Sequence, residues 1–258
     1  MFPLVGSQTP DSPETLETAL RAGLETLGLR PHGVRASGEW PNLDLVRVDL
    51  SGSKLDRAQP LPEAKAAPRT DFHATRFELV AEPIYLEGAP AVLSVQAADA
   101  GFGSAAGSAL VLTEASEGEI VAEIERGALE KLLQQVAGEA ASQHGVDIKQ
   151  TKLELNALGP RLLAFRADVT AKMFVMSATV TLSGQVEVDD QMQAKVSQLR
   201  FTGDGMIANA AGGFIRPQLE KFEGRTFALM TFSLGEIKLR DLQVTGGDSL
   251  RLTARFGS

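Results

Sequence analysis

From residue 146 to residue 201 the chain holds four long strand-like runs in succession, with only short polar breaks between them. They are Val146 to Leu155, Leu162 to Lys172, Val175 to Val188 and Gln191 to Phe201, and Asp189-Asp190 marks a tight turn between the last two. A period of two places successive side chains on opposite faces of a sheet. Strands this close in sequence pair as hairpins, because a parallel crossover needs a dozen or more residues. That arrangement sets the fold class as α+β with antiparallel sheet, and parallel winding fits poorly.

The same period appears earlier. Val46, Val48 and Leu50 alternate with Arg47 and Asp49, and strand-like runs follow at Phe72 to Val80, Ile84 to Leu86, Ala91 to Ala97, Ala109 to Thr113 and Ile120 to Ile124. Further strands are expected near 227–232, 236–245 and 249–256. The stretch from Ala58 to Pro68 carries Pro60, Pro62 and Pro68 without apolar periodicity and reads as a loop.

Three segments change to helical spacing. Ser12 precedes Pro13 as an N-cap, Leu16, Leu20, Leu24 and Leu27 recur on one stripe, and Gly28 supplies the stop. Residues 126–143 place Leu129, Leu132, Leu133, Val136, Ala137, Ala140 and Ala141 together, with Gly145 closing the helix. The third, over 206–222, aligns Ile207, Ala211, Phe214, Ile215, Leu219 and Phe222, while Pro217 must kink or break it. Residues 1–11 read as a flexible arm and 12–258 as a single domain.

With 43% apolar residues in 258, the chain can bury a sizeable core. Its net charge of −8 disfavours a nucleic-acid partner, since phosphate contacts supply most of that affinity. The absence of cysteine excludes disulfides and thiolate chemistry. No basic region followed by an apolar run opens the chain, and no window of about 18 apolar residues occurs. A cytoplasmic location is therefore expected.

Catalytic patterns are hard to find. His32, His73 and His144 have no partner at metal-ligand spacing, so no metal site is expected. The segment Gly101-Phe102-Gly103-Ser104-Ala105-Ala106-Gly107 suggests a phosphate loop, but a strand rather than a helix follows it. Without a helix N-terminus to receive a pyrophosphate, a flexible hairpin or crossover is the better reading. Glu114, Glu117 and Glu119 read as a solvated Ser/Gly-containing turn rather than a carboxylate pair across a cleft. No cofactor and no enzymatic activity are expected; an enzyme acting on a lipid or glycolipid is the remaining catalytic alternative.

Apolar features carry more. Lys172-Met173-Phe174-Val175-Met176 reads as a strand segment that is buried, at a subunit contact, or on the rim of a lipid groove, where flexible methionines adapt to acyl chains. The third helical stretch shares that choice between core and groove lining.

Ser53-Lys54-Leu55, Ala100-Gly101-Phe102-Gly103-Ser104-Ala105, Ala122-Glu123-Ile124-Glu125-Arg126-Gly127-Ala128-Leu129 and Ser233-Leu234-Gly235-Glu236-Ile237 resemble segments of a bacterial domain family labelled LmeA-like and phospholipid-binding. The stretch from Gly205 to Phe222 resembles the second helix of TULIP-type lipid-binding domains. The resemblance spans residues 30–256 and implies a long, highly curved antiparallel sheet wrapped around amphipathic helices, with an apolar cavity between them. The family has no agreed catalytic residues. In such a fold the small residues Ala210, Ala211, Gly212 and Gly213 would leave room along a seam for an acyl chain.

The expectation is thus a lipid-binding protein, with phospholipid or fatty-acyl ligand lined by Leu129, Leu132, Leu133, Val136, Met173, Met176, Ile207, Ala211, Phe214, Ile215 and Phe222. Peripheral membrane contact would go with it. The alternative is a structural protein whose apolar faces are closed by its own core or a homodimer contact.

Overall fold

The computed structural model describes residues 2–4, 10–55, 69–105, 109–142, 145–173, 176–189, 193–203, 219–228 and 239–258. The chain divides into two compact units. Unit 1 comprises residues 1–123, 230–242 and 252–258, and unit 2 comprises 124–229 and 243–251. Strand predominates in an α+β architecture.

Unit 1 begins with β1 (Phe2–Pro3), which pairs with β7 (Ala109–Glu114). Phe2 and Leu4 are buried, so the arm expected over 1–11 is anchored at its start. Helix α1 (Pro13–Thr26) follows, built as its sequence dictates. Ser12 Oγ accepts from the Thr15 backbone N–H at 3.2 Å, and Thr15 Oγ1 accepts from the Ser12 N–H at 3.0 Å. Such a cap contributes about 1 kcal/mol. At the other end Gly28 takes φ +70°, while the N–H groups of Gly28 and Leu29 return to the carbonyls of Glu25 and Leu24. Leu16, Leu20 and Leu24 are fully buried. A Cβ at Gly23 would lie 1.8 Å from the Pro3 carbonyl oxygen, so only glycine lets β1 cross the helix there.

The sheet of this unit runs β2 (Gly33–Glu39), β3 (Asn42–Asp49), β5 (Phe72–Leu86), β6 (Ala89–Ala105) and β8 (Glu117–Glu125), then β15 (Ser249–Phe256) and β14 (Leu239–Thr245). Residues 124–125, 243–245 and 249–251 of these strands count with unit 2. The short β4 (Lys54–Leu55) pairs with β5. Val46, Val48 and Leu50 are buried, as their alternation requires. Pairing is not antiparallel throughout: β3 and β4 both run parallel to β5. The chain between β3 and β5, long enough for a crossover, includes residues 56–68, outside the described set.

Gly101 to Ala105 form the end of the 17-residue β6, paired on one side with β5 and on the other with β7; the antiparallel partnership of Ala105 with Ala109 makes this a hairpin, one of the two forms expected, with the strand running further than Ala97. Aromatic stacking fixes the segment. Phe102 lies 5.2 Å from both Phe72 and Phe77, Trp40 lies 4.9 Å from Phe72, and Phe2 lies 5.8 Å from Phe77. Gly101 is small because Glu114 Cγ would sit 2.6 Å from any Cβ. The three glutamates are strand residues too: Glu114 ends β7, and Glu117 and Glu119 lie in β8, all exposed.

Unit 2 contains α2 (Arg126–Ser142) and a five-stranded antiparallel sheet in the order β13 (Thr226–Ala228), β12 (Gln193–Gly203), β11 (Met176–Val188), β10 (Leu162–Met173), β9 (Asp147–Gly159). Gly145, at φ +69°, follows the helix as its position predicts. Met173 pairs with Met176, so the apolar run from Lys172 to Met176 is the end of the β10–β11 hairpin, between the two strands expected there. Phe174 and Val175 lie outside the described residues. No helix among the described residues is long and apolar enough to cross a membrane.

Candidate functional site

The register of the unit 2 sheet sorts its side chains onto two unlike faces, since residues directly opposite in an antiparallel pair point the same way. One row reads Leu153, Ala167, Leu182, Phe201, and the next Ala157, Leu163, Val186, Val196. Leu155, Phe165 and Gly184 lie between them, and Val188 and Ala194 beyond. The opposite face carries Lys152, Asp168, Thr181 and Thr202 in one row, and Glu154, Arg166, Ser183 and Arg200 in another. Strict alternation in the sequence thus becomes an oily face and a wet face.

The wet face is tied by polar contacts. Thr181 Oγ1 donates to Asp168 Oδ1 at 2.6 Å, and the Arg166 guanidinium reaches the same carboxylate at 3.2 Å. The Thr181 hydroxyl, helped by Arg166, holds the Asp168 carboxyl below its ordinary range against the opposing effect of burial.

The oily face is covered unevenly. Leu153, Leu155 and Ala167, toward β9, are buried, whereas Leu182, Val186, Val196 and Phe201, toward β12, are half-buried. Thr151, 5% exposed, interrupts the apolar surface with an Oγ1 that has no hydrogen-bond partner.

Helix α2 packs against β9 and closes that edge of the sheet. Glu130 Oε1 accepts from the Leu153 N–H at 2.7 Å, and Gln134 Nε2 donates to the Lys149 carbonyl at 3.1 Å. These bonds occupy backbone groups that an open edge would offer to another strand. At the N-terminus of α2, Arg126 pairs with Asp248 at 3.0 Å.

The β12 edge is built differently. Between Ser183 and Gln185 the β11–β12 register slips, and opposite the slip Gln198 takes φ +54°. This bulge points two successive N–H groups outward. Both are taken by one carboxylate: Gln198 N–H donates to Glu223 Oε1 and Leu199 N–H to Glu223 Oε2, each at 2.8 Å. Glu223 follows a helical turn, Leu219 to Phe222, and Gly224 N–H then bonds the Val196 carbonyl at 2.8 Å. Gly184 lies across from the bulge, where a Cβ would meet Leu199 Cδ2 at 2.8 Å and the Phe165 ring at 2.9 Å.

Between the bulge and the helical turn opens a cavity of about 470 Å³, lined by Gln198, Leu199, Arg200, Phe201, Leu219, Glu220 and Glu223. That volume falls within the range of small-molecule sites, about 300–1,000 Å³. Beside it Phe222 and Phe227 are 42% and 39% exposed, with ring centroids 6.0 Å apart and the Arg225 guanidinium 5.8 Å above Phe222.

Of the residues singled out from sequence, Leu129, Leu132 and Val136 are half-buried on α2, and Leu133 is exposed at 36%. Leu133 is therefore on the solvent side of the stripe. Met173 and Met176 are register partners at the hairpin end. Ile207, Ala211, Phe214 and Ile215 lie outside the described residues. Phe222 sits beside the β12 cavity. The cavity residues Leu199, Arg200, Phe201 and Glu223 were not singled out. The alternation of Gln191 to Phe201 pointed to a strand there, but nothing in it signals a bulge.

No protein-family model, curated protein or solved structure matches the chain.

Proposed function

We propose that the chain binds a lipid, phospholipid or fatty-acyl, along the oily face of the unit 2 sheet. The observation that carries this reading is the half-buried row through Leu182 and Phe201, which runs to the β12 cavity. A fully packed interior would bury these side chains, as it does Leu153 and Ala167 in the same row. Each methylene of a tail laid on that surface contributes about 0.8 kcal/mol. An acyl chain needs few directed polar contacts to bind there. α2 and the Leu219–Phe222 turn flank the sheet at its two edges. The exposed Phe222 and Phe227 would serve peripheral membrane contact. On this reading the fold is TULIP-like, a curved sheet wrapped on helices.

Native mass spectrometry of the purified chain and of Leu182→Asp tests this. Co-purifying lipid on the parent chain, lost in a folded Leu182→Asp variant, is the expected outcome. A bare monomer that takes up no added lipid contradicts it. A bare dimer would instead mean that a second copy closes the oily face.

A further inference from the structure

The two helices are seated very differently. Leu16, Leu20 and Leu24 of α1 are at most 1% exposed. α2 is longer, yet among its described side chains only Ala128 is buried. Leu129, Leu132 and Val136 are half-buried and Leu133 is exposed, so the stripe that should anchor the helix is left short of apolar contact. What holds α2 lies toward its N-terminus. The Arg126 N–H donates to the Asp248 carbonyl at 2.9 Å, beside the ion pair of the same two residues. Glu130 and Gln134 then tie the helix to Leu153 and Lys149 of β9. From Gln135 onward, the side-chain hydrogen bonds of the described helix stay within it.

The strand beneath is no better served. Thr151 lies in β9 midway between the two tied residues and is 5% exposed, and its Oγ1 has no hydrogen-bond partner. Leu153 and Thr151 pair with Ala167 and Val169 in unbroken register, so the Thr151 N–H and C=O point out of the sheet edge as the Leu153 N–H does. The two bonds from α2 to β9 pass to either side of them. Seating α2 therefore strips water from the polar groups of Thr151 and supplies no partner in exchange, which is unfavourable.

We propose that α2 is a gate hinged at Arg126, whose C-terminal half swings off β9 to admit a hydrocarbon tail and closes again over it. The inference rests on the lipid-binding reading above and deepens it by naming the way in. The oily face is buried toward β9, the edge on which α2 packs, so a tail that runs from Phe201 across Leu182 must displace the helix to reach Leu153 and Leu155. With the helix away, water reaches Thr151. With a tail beneath it, Leu129, Leu132 and Val136 gain the apolar partner they lack. Few buried apolar contacts and exposed ties are the marks of an element that opens locally.

The chain has no cysteine, so a bridge can be placed without competing thiols. Gln134→Cys and Lys149→Cys are introduced together and joined by a short, reducible bis-methanethiosulfonate, which mass spectrometry verifies. Uptake of cis-parinarate, a fatty acid that fluoresces in apolar surroundings, is followed by stopped flow on the full chain. The bridge should slow uptake about tenfold or more, and reduction should restore it. Thr151→Val keeps the shape and removes the stranded hydroxyl, so uptake should slow about fivefold, and exchange of the α2 amides beyond Gln134 should slow with it. If the bridged and reduced forms take up parinarate at one rate, or if Thr151→Val leaves both uptake and α2 exchange unchanged, α2 is no gate while lipid binding stands. If neither the parent chain nor the reduced variant takes up parinarate, the lipid-binding reading falls, and the gate with it.

Discussion

Replacing Glu223 with alanine should loosen the β12 bulge and the cavity built on it. The carboxylate accepts two backbone bonds of 2.8 Å, from Gln198 and Leu199. A hydrogen bond to a charged group contributes about 1.5–3 kcal/mol when sheltered. Glu223 is exposed, so water replaces much of what is lost, and the pair together is worth about 1–2 kcal/mol. The loss is local, because the bonds hold the Leu219–Gly224 segment against β12. Amide hydrogen exchange reads it directly. In Glu223→Ala the Gln198 and Leu199 amides should exchange roughly 5- to 30-fold faster, the factor that about 1–2 kcal/mol implies. Glu223→Gln keeps one carbonyl acceptor and should fall between. Amides in the β9–β10 pairing should not change. If Gln198 and Leu199 exchange at the parent rate in Glu223→Ala, the carboxylate does not hold the bulge and the account of this edge is wrong.

Two further outcomes concern stability. Gly118→Ala should destabilise unit 1 by about 1–3 kcal/mol, since the new Cβ would fall 2.2 Å from the ring of the fully buried Phe256; an unchanged melting transition would contradict this. Asp168, whose carboxyl is held below its ordinary value of 3.8, stabilises the fold fully above that pH and progressively less as acid protonates it. The stability gap between the parent chain and Asp168→Asn, measured by urea unfolding, should therefore shrink from about pH 5 to about pH 2, and a gap that widens in acid would refute the assignment.

The local signals in the sequence carried most of the strand and helix placement. Ser12-Pro13 and Gly28 bound α1 because capping is a contact among near neighbours. The strands β9 to β12 were legible because alternation, hairpin length and register all agree. Failures came where distant contacts decide. Gly101 and Gly103 look like loop residues, yet Phe102 between them stacks on Phe72, and that packing outweighs the weak strand preference of glycine. Strand β2, GVRASGE, escaped notice because its buried side is small, with Val34 buried and Ala36 only half-buried. The Glu223 clasp on β12 was invisible, since its partners lie 24 and 25 positions away in the chain.

Lipid contact on the oily face can be measured by photo-crosslinking. A fatty acid carrying a diazirine near the end of its tail is bound to the full chain, irradiated, and the adducts are mapped by peptide mass spectrometry. Adducts at Phe165, Leu182, Val186 or Phe201 are expected. Adducts confined to Lys152, Thr181 and their neighbours on the wet face, or labelling that excess unmodified fatty acid fails to compete away, would contradict it.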